Sequence, residues 1–271
     1  MRNTFANIPP VVKNLLIINA LFLLATYILQ QVNGFDLNKI FALYYFKSEY
    51  FKPFQFVTHM FMHAGFIHLF FNMYALFLFG QILERLWGSK RFLFYYLVTG
   101  FGAAALYTAV NWWELSGLMS DATLFYDSAT PEAFDIFTSN HSEFFNMDAV
   151  ASFIDKWSSM PKDTESISTA ISLIQESVKT KIDVPVVGAS GAVFGILLAF
   201  GMLFPNTELY LMFIPVPIKA KYFVIGYGAI ELYSGLANNP GDNVAHFAHL
   251  GGMLFGFILI KLWKKNTTNF Y

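Results

Sequence analysis

Three short stretches of this chain set polar groups among apolar ones. Ser190 lies in Gly188-Ala189-Ser190-Gly191-Ala192-Val193-Phe194-Gly195, directly after Val184-Pro185-Val186. Pro185 and Gly188 favour an extended entry to a helix that begins at the serine. A hydroxyl there has free backbone N–H groups and the positive end of the helix dipole beside it, a setting that suits an oxyanion. His249 lies in His246-Phe247-Ala248-His249-Leu250-Gly251-Gly252, with Gly256 one turn on. Gly191 and Gly195 in one helix, and Gly252 and Gly256 in another, permit a close approach that brings His249 against Ser190. Serine is a weak nucleophile until a neighbouring base takes its proton, and neutral imidazole is well matched to that task near pH 7. His68 and Asn72, four apart and so on one helix face, are both hydrogen-bond donors. Donors converging on a carbonyl oxygen stabilise the charge that grows there during acyl transfer, by roughly 2.7 to 4 kcal/mol per donor.

Each motif also has a plainer reading. Ser190 and its glycines make a small-xxx-small helix contact, and His68, Asn72 and His249 can serve as interhelical hydrogen-bonding groups. His59 and His63 read as structural or loop-ordering residues, and His246 is a second imidazole on the span that carries His249. A helical zinc peptidase needs His-Glu-x-x-His; His59 and His63 have the four-residue spacing without the Glu, and His246 and His249 are three apart without an acid. An aspartyl mechanism needs two facing carboxylates, and only Glu231 is even semi-buried. Glu231 is expected to snorkel or face a cavity rather than act in catalysis. No metal and no cofactor is expected.

The elements that carry these residues are read from charge. Of the 271 residues 56% are hydrophobic and 13% charged, against roughly 25% charged in soluble domains. Residues 14–35, 53–83, 92–113, 184–207 and 243–260 hold no formal charge, and 222–241 holds only Glu231. With about 20 apolar residues needed per crossing, these predict six spans and an all-α membrane protein. The third, with Gly100, Gly102 and Ala103 to Ala105, can approach a neighbour closely. Arg2 and Lys13, then Arg85, Lys90 and Arg91, then Lys219 and Lys221, then Lys261, Lys264 and Lys265 all fall on one side of six spans. The positive-inside rule makes that side, with both termini, cytoplasmic; Lys39, Lys47 and Lys52 in the first outer loop dissent mildly. A bacterial inner (plasma) membrane is the expected location. No cleavable signal peptide is expected, and without cysteine neither disulfides nor thiol chemistry can be argued and the redox compartment is unreadable.

One segment differs. Residues 111–186 carry 12 acidic and 4 basic side chains, net −8, and the remaining 13 basic and 6 acidic give +7, for the total of −1. Residues 114–183 therefore read as an acidic extramembrane insert on the outer side between spans 3 and 4. Within it Ile167, Ala170, Ile171, Ile174 and Val178 recur at helical spacing, predicting an amphipathic helix over Asp163–Lys181. A solvated cap is the reading preferred over substrate docking or regulation.

Together, His68-Leu-Phe-Phe-Asn72, Gly80-Gln-Ile-Leu-Glu84, Gly188-Ala-Ser-Gly191 and Ala248-His-Leu-Gly-Gly252 with Gly256 resemble the motifs of the rhomboid family of intramembrane serine proteases. The resemblance runs from about Gln55 to the end of span 6, omitting the insert. It implies a six-helix rhomboid bundle over residues 1–271 and hydrolysis of peptide bonds in or near the transmembrane segments of protein substrates. It implies Ser190 as nucleophile, His249 as base in a dyad with no carboxylate partner, and His68, Asn72 and the Ser190 N–H as oxyanion hole. Short span 5 beside span 2 is implied as a lateral gate. Its partners are transmembrane substrates and the lipid bilayer, not nucleic acid. The chain departs from the family in lacking a Trp-Arg pair in the first outer loop, and in placing Phe194 where some members have Tyr; the Phe194 ring can still stack on His249. A rhomboid-fold binding or chaperone protein without turnover is disfavoured because both Ser190 and His249 stand. A small-solute transporter is disfavoured because no two related halves are visible.

Overall fold

The computed structural model describes residues 7–211, 214–237 and 244–266; Arg2, residues 238–241 of the fifth apolar run and residue 243 of the sixth lie outside the described residues. The described chain is mostly helical. It comprises α1 (Pro10–Asn33), α2 (Phe66–Trp87, with a π-helical turn at Leu76–Gly80), α3 (Ser89–Ser128), α4 (Pro131–Asn140), α5 (Met147–Ser158), α6 (Thr164–Ile182) and α7 (Ser190–Leu203). A two-stranded antiparallel hairpin, β1 (Glu208–Leu211) and β2 (Ile214–Lys219), leads to α8 (Ala220–Ala237) and α9 (His246–Asn266).

α1, α2, α3 and α9 are long and apolar enough to cross a membrane. In α1, Ile17, Leu21, Leu24 and Ile28 are exposed at helical spacing, an apolar outer stripe suited to lipid contact rather than to water. α7 has 14 residues, about 21 Å at 1.5 Å per residue. All of them except Ser190, Leu198 and Met202 are buried.

Of the described residues, those within 1–43, 50–108 and 185–271 cluster as one compact unit, and 44–49 with 109–184 as a second. In the first unit the core joins Val12 of α1, Leu76 and Leu83 of α2, Phe92, Tyr95 and Tyr96 of α3, Ile196 of α7 and Ile260 of α9. The start of α1 is held by Glu84, whose buried carboxylate accepts from the Val11 and Val12 N–H groups at 2.9 and 2.8 Å and from Ser89 Oγ at 2.7 Å. Those N–H groups have no intrahelical acceptor, so the carboxylate satisfies them and lies at the positive end of the α1 dipole. The Tyr95 hydroxyl donates to the Gly195 carbonyl at 2.8 Å. Gly256 leaves room for it, because a Cβ there would collide with the phenol.

In the second unit, Leu115, Leu118, Ala122 and Phe125 of α3 pack with Phe134, Phe137, Trp157, Ala170 and Ile174. Asp163 caps α6, accepting from the Ser166 N–H at 2.9 Å and the Ser166 hydroxyl at 2.6 Å. Those hydrogen bonds, from the Ser166 hydroxyl first and then its N–H, hold the Asp163 carboxyl below the ordinary carboxylate value of 3.8.

Several element ends differ from those read off the charge pattern. The third apolar run stops at Glu114, yet α3 continues to Ser128, because Leu115, Leu118, Ala122 and Phe125 supply a buried helical stripe past the first charge. The run at 53–83 opens with short turns at Gln55–Thr58 and His59–Phe61, and its long helix starts only at Phe66. The amphipathic helix read over Asp163–Lys181 is α6, Thr164–Ile182 with Asp163 as its cap, and the insert also holds α4, α5 and the end of α3. The hairpin at 208–219 has no counterpart in the sequence reading.

Candidate active site

The approach to Ser190 is extended and anchored. Leu43 and Val186 exchange both backbone hydrogen bonds, at 2.9 and 2.8 Å. The Gly188 N–H donates to the His59 carbonyl at 2.9 Å. Gly188 has φ +127°, and a Cβ there would sit 2.8 Å from the His68 ring and 3.6 Å from Ser190 Oγ. Only glycine takes that conformation cheaply and leaves the ring its place. The chain then turns into α7 at Ser190, whose N–H is among those with no intrahelical acceptor.

α9 packs on α7 through the glycines. A Cβ on Gly252 would run into the Gly191 carbonyl, and one on Gly256 would lie 3.4 Å from Gly195 Cα. His249 Nε2 lies 2.8 Å from Ser190 Oγ. The Phe194 ring is parallel to the imidazole, 7° between planes and 4.1 Å between centroids, which fixes the plane of His249. On α2, Asn72 is buried and its amide donates to the His68 carbonyl at 3.0 Å, leaving a second amide hydrogen. The N–H of Ala64 donates to His68 Nδ1 at 3.4 Å, and the other edge of the ring faces Gly188.

His59 is buried, its Nδ1 2.9 Å from the Gln55 carbonyl, while its own carbonyl receives Gly188. His63 is buried with both ring nitrogens lacking a hydrogen-bond partner among the described residues, and it meets His68 edge to face at 5.1 Å.

Glu231 corrects the sequence reading. It neither snorkels nor stands apart from the histidines: it is 4% exposed, and Oε2 accepts from His249 Nδ1 at 2.9 Å and from His246 Nδ1 at 2.6 Å. The resemblance implies a dyad with no carboxylate partner, and no acid stands in the helix of His249; here the acid arrives from α8. The signal was present in the sequence as a lone acid in an otherwise uncharged run, which demands a partner in lipid, followed by two histidines three residues apart.

The molecule is thus a helical integral membrane protein with a serine, an imidazole and a carboxylate in hydrogen-bonded series. A family model of the rhomboid domain matches residues 50–115 and 165–265, and the chain belongs to the rhomboid family, a family of intramembrane proteases. It is 36% identical over 86 residues to an uncharacterized mitochondrial rhomboid protein of Schizosaccharomyces pombe, covering 30% of this chain and 22% of that one. It is 42% identical over 55 residues to the mitochondrial RHOMBOID-like protein 6 of Arabidopsis thaliana, covering 20% and 18%. To YdcA, a Bacillus subtilis rhomboid, it is 48% identical over 44 residues, covering 16% and 22%. The chain spans about a fifth of the length of the curated relatives it matches.

Proposed function

We propose that this chain is an intramembrane serine endopeptidase that hydrolyses peptide bonds in or near the transmembrane segments of membrane proteins. The observation that carries the proposal is the 2.8 Å separation of Ser190 Oγ and His249 Nε2 at the start of a buried helix. Ser190 attacks the substrate carbonyl as His249 takes its proton, His249 returns the proton to the leaving amine, and water then clears the acyl-enzyme. The oxyanion is received by the Ser190 N–H, the free amide hydrogen of Asn72 and the His68 ring.

In this reading α7 and α8 complete a six-span bundle with both termini on the cytoplasmic side, and residues 114–183 form an outer, extramembrane insert. A bacterial plasma membrane suits this arrangement, and the mitochondrial relatives make an organellar membrane the second candidate. The test is fluorophosphonate labelling and cleavage of a model transmembrane substrate by purified protein. Ser190 labels and the substrate is cut; Ser190→Ala and His249→Ala abolish cleavage. Labelling that survives Ser190→Ala removes the assignment.

A further inference from the structure

We infer that Glu231 is a positioning residue of the proteolytic site: it holds a proton on His249 Nδ1 so that Nε2 faces Ser190 as a base, and His246 keeps its carboxylate in place. The inference rests on the proposed roles of Ser190 and His249 and adds a third group to them.

Neutral imidazole has one N–H and one lone pair, and only the tautomer with its proton on Nδ1 presents a base to Ser190. Stacking on Phe194 sets the ring plane, but a half-turn of the ring about its Cβ–Cγ bond preserves that stack. Something else must choose the edge. An ionised carboxylate only accepts hydrogen bonds, so Glu231 Oε2 at 2.9 Å from Nδ1 selects the productive ring orientation and the productive tautomer together. When His249 takes the serine proton it becomes an imidazolium, and the same carboxylate supplies the opposite charge in a site where water screens little.

His246 donates to the same oxygen at 2.6 Å. Two N–H groups from one face of α9 clamp the carboxylate between them, which restricts the Glu231 side chain to the rotamer that reaches His249. Among the described residues, the other titratable groups around the pair are Tyr227, one turn before Glu231 on α8 and packed on Phe194 at 4.8 Å, and His68 of α2.

Glu231, His246 and His249 each offer a ligand atom within 4.8 Å of the others, so a metal site is the competing reading. Ligands around a tetrahedral zinc at 2.0 Å stand about 3.3 Å apart. The observed 2.6 and 2.9 Å are hydrogen-bond spacings instead.

The experiment compares wild type with Glu231→Gln, Glu231→Asp, His246→Gln and His246→Ala in the full chain, by cleavage kinetics on the model substrate, fluorophosphonate labelling rate and thermal stability. Glu231→Gln keeps size and shape but can turn its NH2 toward Nδ1 and favour the wrong tautomer. It lowers kcat by about 10²-fold or more with KM unchanged, and slows Ser190 labelling in parallel. Glu231→Asp retains the charge and recovers part of the rate. His246→Ala loses several-fold, and His246→Gln, which keeps a donor, recovers that loss. In protein carrying ¹⁵N-histidine, the His249 Nδ1 resonance is that of a protonated nitrogen in wild type and moves toward the unprotonated value in Glu231→Gln. Full kcat in Glu231→Gln, or a change confined to KM or melting temperature, overturns the inference. So does loss of wild-type activity to a chelator with recovery on adding zinc. If Ser190→Ala and His249→Ala are inactive while Glu231→Gln is not, the two-residue reading stands and only the role of Glu231 falls. If Ser190→Ala still cleaves, the proteolytic assignment itself falls.

Discussion

At the scale of the residue, the site depends on one backbone conformation and a few hydrogens. Gly188 combines φ +127° with a His68 ring 2.8 Å from where a Cβ would be. Gly188→Ala therefore strains the backbone by about 1–3 kcal/mol and displaces His68. The expected outcome is at least tenfold slower fluorophosphonate labelling of Ser190, with a melting temperature that falls by only a few degrees; equal labelling would show that the turn before Ser190 is not rigid. Asn72→Leu keeps the volume and removes the amide, so kcat falls by about 10²-fold, as for loss of one oxyanion donor, while Ser190 still labels. Ser190, His249, His68 and Asn72 could be picked out from the sequence because strongly polar side chains are rare in apolar runs and each sits beside small residues or a donor at helical spacing. Glu231 could not be placed that way. Its partners lie on another helix, and single-helix spacing carries no record of which faces meet.

At the scale of the element, charge marks where lipid ends and says little about where a helix ends. The uncharged runs locate α1, α2, α3, α7 and α9, but they miss the turns before Phe66 and the continuation of α3 to Ser128. Capping decides those ends, and two caps make distinct predictions. Glu84→Ala leaves the Val11 and Val12 N–H groups without their buried acceptor, an expected cost of about 2–4 kcal/mol read as a lower melting temperature in detergent; Glu84→Gln, which retains one acceptor oxygen, falls in between. Asp163 titrates. Its carboxyl is held below its ordinary value by the Ser166 hydroxyl and N–H, so the charged cap stabilises α6 fully above that ordinary value. The contribution is lost as pH falls through 3.8 toward the depressed folded-state value. The Ser166 amide proton shift followed from pH 6 to about pH 2 is expected to report this loss in wild type and to be flat in Asp163→Asn, which caps without titrating.

At the scale of the whole molecule, the two apolar cores found among the described residues share none of them. One joins α1, α2, α7 and α9 with the first part of α3, and the other joins the end of α3 with α4, α5 and α6. The proposed proteolytic groups all belong to residues of the first unit, and the acidic excess, net −8 over 111–186, belongs almost entirely to the second. Separate cores mean that each can keep its packing without the other's side chains. Replacing residues 118–180 with a short Gly/Ser linker removes most of the second core, including Phe125, Phe134, Trp157 and Ile174, and touches no side chain that fixes Ser190, His249 or Glu231. The deletion is expected to label with fluorophosphonate at a rate within a few-fold of the full chain, and any change falls on KM for large protein substrates rather than on kcat for a short one. A folded deletion that no longer labels would mean that the insert takes part in shaping the serine, which a solvated cap does not do.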